Sequence, residues 1–219
     1  MNDKRLLEQM AQAIIKLDRD EVVHLTRAAL ANGIPPLKAI EEGLQPGMQA
    51  VGERFENFEC FLPELIGSAE AFKAAMDELE PVIAQMSAHQ KTQGTVVMGT
   101  VKGDIHKIGK DIVALLLKTR GFKVVNLGED IPASRFLNAA QEHKADIIGL
   151  SSLLNTTMPA QQEVIDLFSE VGIRGQFAFM VGGAPISQNW ADQIGADGYA
   201  KTAEGAVKLA LALMKAKAG

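Results

Sequence analysis

Apolar residues recur at one spacing before about residue 90 and at another after it, and that change limits the fold more than composition does. In the first part they return every three or four positions, the period of a helix with one buried face. Leu6, Met10, Ala13, Ile14 and Leu17 form one such stripe. Leu37, Ile40, Leu44, Met48, Val51 and Phe55 form a second. Leu62, Leu65, Ala69, Phe72, Met76, Leu79, Ile83 and Met86 form a third. Asp18 to Asp20 breaks the first helix from the next, and Gly33 with Pro35 and Pro36 supplies a terminal glycine and a proline start. Four helices that each bury one stripe predict a small antiparallel bundle over 1–87.

The stretch 88–94 is polar and aperiodic, and it is predicted to be a linker and the hinge between two domains. Beyond it the runs Thr95–Thr100, Lys123–Leu127, Asp146–Ser151, Phe177–Val181 and Gly198–Ala200 alternate with helical stretches near 107–120, 133–143, 160–171, 187–194 and 203–216. Such alternation predicts an α/β domain over 95–219, with a five-stranded parallel sheet of flavodoxin or Rossmann-like type ordered 2-1-3-4-5. Ligands of such sheets sit outside the carboxyl ends of strands one and three. Charge divides in the same place: residues 1–90 carry 8 basic and 15 acidic groups (−7), and residues 91–219 carry 14 and 12 (+2). A net charge of −5 argues against nucleic-acid binding. The absence of a run of about 18 apolar residues, with a charged start, argues for a cytoplasmic chain that does not enter membranes. The lone Cys60 has no internal disulfide partner.

Three groups meet at the switch point. Asp104, His106, Lys107, Gly109 and Lys110 follow strand one, Ser151, Ser152, Leu153, Leu154 and Thr157 follow strand three, and Gly182-Gly183 ends strand four. A histidine two residues from a carboxylate can offer one ring nitrogen to a metal while the other donates to the carboxylate. The plainer readings are that Asp104 caps the helix beginning near His106 and that the glycine pair is a turn. A P-loop is excluded because Gly94 to Gly99 is followed by Thr100 instead of lysine. One histidine is too few for a closed zinc site, since His24, His89 and His143 lie on helices or the linker. It suffices for a metal that brings its own equatorial ligands.

Asp104-x-His106-x-x-Gly109, Ser151-x-Leu153 and Gly182-Gly183 together resemble the three-part signature of cobalamin-binding proteins. The resemblance implies a corrinoid held base-off and His-on, with its nucleotide base buried along the sheet and His106 as the axial cobalt ligand. It implies that Asp104 hydrogen-bonds His106, that Gly109 leaves room for the nucleotide tail, and that Ser151, Leu153, Gly182 and Gly183 line the base slot. Thr157 takes the place of a second hydroxyl contact to the aspartate, and Ala203 that of a further cofactor contact. In the helical half, Val51-Gly52-Glu53-Arg54-Phe55 and Phe61-Leu62-Pro63-Glu64 resemble the cap of methionine synthase and of small corrinoid proteins of methyl-transfer systems. There Phe55 and Leu62 would cover the upper face of the corrin; packing the bundle core is the other reading, because both fall on apolar stripes.

With a cap and no substrate barrel, the resemblance implies a methyl carrier that is not catalytic alone. It would shuttle between cob(I)alamin and methylcobalamin, loaded by a substrate-specific corrinoid methyltransferase for methylamine, methanol or an aryl methyl ether. A second methyltransferase would pass the methyl group to tetrahydrofolate or coenzyme M, and a reductive activase would be a third partner. Alternatives are a cobalamin-dependent sensor or regulator and the small subunit of an adenosylcobalamin mutase. The sensor needs a DNA-binding module and a cap tryptophan, whereas Trp190 lies after strand four; the mutase subunit lacks the helical half. A receiver domain needs clustered acids after strand one, where Lys102, Lys107 and Lys110 stand.

Overall fold

A computed structural model describes residues 3–87 and 92–218. Residues 88–91 of the expected linker, and His89 with them, lie outside the described residues. The chain divides into two compact units, Met1–Met86 and Ser87–Gly219.

The first unit is helical. Helix α1 (Asp3–Ile15) buries Leu6, Leu7, Met10, Ala13 and Ile14. Leu17, expected on the same stripe, has left the helix at φ +59 and is partly exposed. The Asp18 carboxylate accepts the Glu21 N–H at 3.0 Å and starts α2 (Arg19–Ala31), which stops at Asn32 and Gly33, the glycine at φ +76. The single third helix read from the stripe is instead α3 (Pro36–Lys38), a π-helical turn Ala39–Leu44, and α4 (Gln45–Glu56). Gly43 and Gly47 explain how closely it packs on α1: a Cβ on Gly47 would lie 2.7 Å from the Ala11 carbonyl oxygen. Helix α5 (Leu62–Ser87) buries Phe72, Met76, Leu79 and Ile83, but its first turn is out of the core, with Leu62 and Ile66 exposed.

The second unit is an α/β layer. Strands β1 (Gly94–Thr100), β2 (Phe122–Asn126), β3 (Ile147–Ser151), β4 (Ala178–Gly182) and β5 (Gly198–Tyr199) form one parallel sheet, ordered β2-β1-β3-β4-β5 as the alternation predicts. Helices α6 (Ile108–Thr119), α7 (Ala133–Glu142), α8 (Pro159–Glu170), α9 (Gln188–Gln193) and α10 (Ala203–Ala218) cover it. Parallel sheets bury both faces, and here the faces differ. Toward α7 and α8 the strands present Val97, Val101, Ile148, Leu150, Phe179 and Val181 to Phe136 and Phe168. The opposite face, toward α6 and α10, runs Met98, Gly149, Met180 and Gly198 in one row and Thr100, Ser151 and Gly182 in the next. At the carboxyl ends one face is therefore filled by large side chains and the other is lined by small ones.

Candidate functional site

Strand β1 ends at Thr100, and the chain turns through Gly103, at φ +84, into Asp104, whose side chain is fully buried. Its Oδ1 accepts the His106 N–H at 2.9 Å and lies 2.7 Å from His106 Nδ1. Its Oδ2 accepts the Leu153 N–H at 2.7 Å and the Thr157 hydroxyl at 2.9 Å. Ser152 Oγ lies 2.8 Å from Thr157 Oγ1, so the line runs His106, Asp104, Thr157, Ser152 from the loop after β1 to the loop after β3. Asp104 is not a helix cap: α6 starts at Ile108, and its cap residue Lys107 makes no side-chain capping bond.

Burial opposes the Asp104 charge, but the N–H groups of His106 and Leu153, the His106 ring and the Thr157 hydroxyl outweigh it and hold the carboxyl at about 2. A carboxylate can only accept, so His106 carries its proton on Nδ1 and turns the Nε2 lone pair outward. The His106 side chain is 45% exposed, and Nε2 makes no hydrogen bond among the described residues. Ile105, next to it in the chain, and Leu153 and Leu154, in the loop after β3, are exposed apolar residues. An imidazole fixed at one nitrogen and open at the other has the form that an axial ligand needs for a metal held in a flat macrocycle. The donor set fits a corrinoid.

The other expected site residues occupy the same edge. Ser151 and Gly182 are neighbours on the face of small residues, and a Cβ on Gly109 would meet nothing within 4 Å. Gly183 has an internal reason for being glycine: at φ +132, a Cβ there would fall 1.6 Å from the Ser152 carbonyl oxygen. Ala203 is the first residue of α10, behind Thr202, whose hydroxyl accepts the Gly205 N–H at 3.0 Å. In the helical unit Phe55 is 37% and Leu62 56% exposed, and Phe58, Phe61 and Ile66 between and beside them are exposed too. Neither Phe55 nor Leu62 is fully buried in the bundle. Two of the three lysines after β1 are paired, Lys107 with Glu129 at 3.3 Å and buried Lys110 with Asp111 at 2.6 Å, and ionised Asp104 offsets Lys102, so the local positive excess disappears.

Gln161 was not legible as a site residue. Fully buried on α8, it donates through Nε2 to the carbonyls of Leu150 (3.0 Å) and Gly182 (3.2 Å), and its Oε1 accepts the Trp190 indole N–H at 2.9 Å. It ties the carboxyl ends of β3 and β4 together; a glutamine among apolar residues of an amphipathic helix was the only available sign. Among the described residues no group of three or more His, Cys, Asp or Glu could hold a metal ion by itself. No helix among them is long and apolar enough to cross a membrane.

Comparison with known proteins gives the same answer as the geometry. Two family models described as a B12 binding domain match, one over residues 94–208 and the other over 6–80. Trimethylamine corrinoid protein 1 of Methanosarcina mazei is 44% identical over 92% of this chain and 94% of its own length. A corrinoid protein of Desulfitobacterium hafniense is 45% identical over 94% of this chain and 95% of its own. The structure of the Methanosarcina barkeri monomethylamine corrinoid protein superimposes with a TM-score of 0.90 at 34% identity, covering 96% of this chain and 99% of that one. A methanol:cobalamin methyltransferase complex of the same organism matches at a TM-score of 0.54 and 35% identity, over 96% of this chain and 80% of that one. The chain therefore belongs to the B12-binding family of corrinoid proteins.

Proposed function

We propose that this protein is a methyl carrier, holding cobalamin base-off and His-on and passing methyl groups between two methyltransferases. The observation that carries the reading is the His106–Asp104–Thr157 relay, with Nε2 of His106 left open. When bound, the corrinoid supplies a cobalt that takes up and gives away the methyl group. The chain's residues do the rest. Asp104 keeps the Nδ1 proton in place, and the N–H groups of His106 and Leu153, with the Thr157 hydroxyl, keep Asp104 charged. When Nε2 is not needed as a ligand, the same imidazole can take a proton there, beside a carboxylate that stays ionised. Gly109 leaves room for the nucleotide tail, Ser151, Leu153, Gly182 and Gly183 line the slot for its base along the face of small residues, and Ala203 borders it.

In this reading residues 1–87 are the cap and 95–219 the cofactor domain. Phe55 and Leu62 shield the upper face of the corrin, which suits two apolar side chains that keep exposed surface. The names of the relatives support a substrate-specific methyltransferase acting on a methylated amine as the upstream partner. The downstream partner is a methyltransferase using tetrahydrofolate or coenzyme M, with a reductive activase to restore oxidised cobalt.

The test is a visible titration of the apoprotein with hydroxocobalamin and methylcobalamin, for wild type and His106→Ala. Tight binding, with a spectrum that shifts to the His-off form in His106→Ala at unchanged folding, is expected. A spectrum indifferent to the substitution would remove His106 as ligand.

A further inference from the structure

The loop that carries the axial histidine is neither helix nor strand, so something else must hold it. Within residues 101–107 the Asp104 N–H donates to the Val101 carbonyl at 3.1 Å, and the Thr100 hydroxyl donates to the His106 carbonyl at 2.9 Å. Two further backbone groups at the turn, Gly103 N–H and Asp104 C=O, both find their partner in one residue of another loop. Asp130, between β2 and α7, accepts the Gly103 N–H on Oδ1 at 2.7 Å and donates its own N–H to the Asp104 carbonyl at 3.0 Å. It does so at φ +55, a left-handed conformation that Asp and Asn tolerate better than other side chains. Asp130 is itself held firmly: Thr100 N–H donates to Gly128 O, and Ile131 N–H to Thr100 O, both at 3.0 Å, strapping the loop to β1 on either side of it.

We propose that Asp130 is a positioning residue for the axial ligand, fixing the Asp104 backbone so that His106 stands where cobalt can be bound; this rests on the cofactor reading above. The route is short. Asp104 Oδ1 contacts both the N–H and the Nδ1 of His106, so any freedom of the Asp104 backbone passes to the imidazole. A metal–nitrogen bond is short and directional, and a ligand must be held within about 0.5 Å of its working position. The neighbouring Lys107–Glu129 pair is exposed at both ends and adds little to this hold.

The experiment compares Asp130→Gly and Asp130→Asn with wild type, in the full chain, apo and with methylcobalamin. Asp130→Gly deletes the carboxylate while relieving the left-handed strain, so its melting temperature should stay near that of wild type. Its Gly103 amide should exchange with solvent roughly tenfold faster in the apoprotein, and methylcobalamin should bind roughly tenfold more weakly, with part of the His-on absorption lost. Asp130→Asn, which keeps an acceptor oxygen and the left-handed tolerance, should restore most of both. Wild-type exchange or a wild-type His-on spectrum in Asp130→Gly would overturn the proposal. Loss of the His106-dependent spectrum in wild type itself would instead overturn the cofactor reading, and the proposal with it.

Discussion

Asp104 is a carboxylate with no exposed surface and four hydrogen bonds, and its ionisation is bound up with the fold. Its carboxyl is held at about 2 against an ordinary 3.8. A folded value below the unfolded one means that the stabilisation is complete above pH ~4 and fades as pH falls toward 2. By linkage it amounts to about 2 kcal/mol. Urea unfolding of wild type and Asp104→Asn should show a gap of that order at pH 7 that closes near pH 2. A gap independent of pH would mean that the charge is not what the four partners hold. That Asp104 would contact His106 was one of two readings of their spacing, beside a helix cap, and the resemblance to cobalamin-binding proteins implied it. Its bond to Leu153 N–H was not legible, because a contact between residues 49 apart depends on how β1 and β3 end side by side.

Among the elements, the five strands and their order were legible because short β-branched runs alternated with amphipathic stretches, and parallel crossovers leave few topologies. The helical half was legible in outline only. Its stripes located the passes, but the π-helical turn at Ala39–Leu44 and the departure of Leu17 answer to packing on other helices, which no local period encodes. The same limit applied to the start of α5: Leu62 and Ile66 keep the period of a buried face yet stand exposed. The glycine after β4 is a second case. Read alone it allows a turn or a ligand's approach, whereas the requirement comes from Ser152 on the neighbouring strand end. Gly183→Ala should therefore destabilise the apoprotein, by about 2 kcal/mol or more, as seen in its thermal midpoint before any cofactor is added. Unchanged stability would leave the ligand as the only reason for that glycine.

For the whole molecule the two halves differ in charge and in kind: −7 over residues 1–90 and +2 over 91–219. The acidic half carries the exposed apolar residues Phe55, Phe58, Phe61 and Leu62. A side chain that packs no core can be truncated with little effect on folding, so Leu62→Ala should stay within about 0.5 kcal/mol of wild type in stability. If Leu62 shields the corrin, the same variant loaded with methylcobalamin should photolyse and oxidise faster. Faster photolysis with normal stability supports the cap; normal photolysis would leave Leu62 free for a different partner.

The sequence contains one tryptophan, and its indole N–H is committed to Gln161, whose amide grips the ends of β3 and β4. Corrins absorb strongly across the band where indole emits. The edge of the sheet thus carries its own optical gauge: loading cobalamin should dim Trp190 emission in proportion to occupancy. Emission that stays constant while the visible spectrum reports binding would put the cofactor somewhere other than that edge.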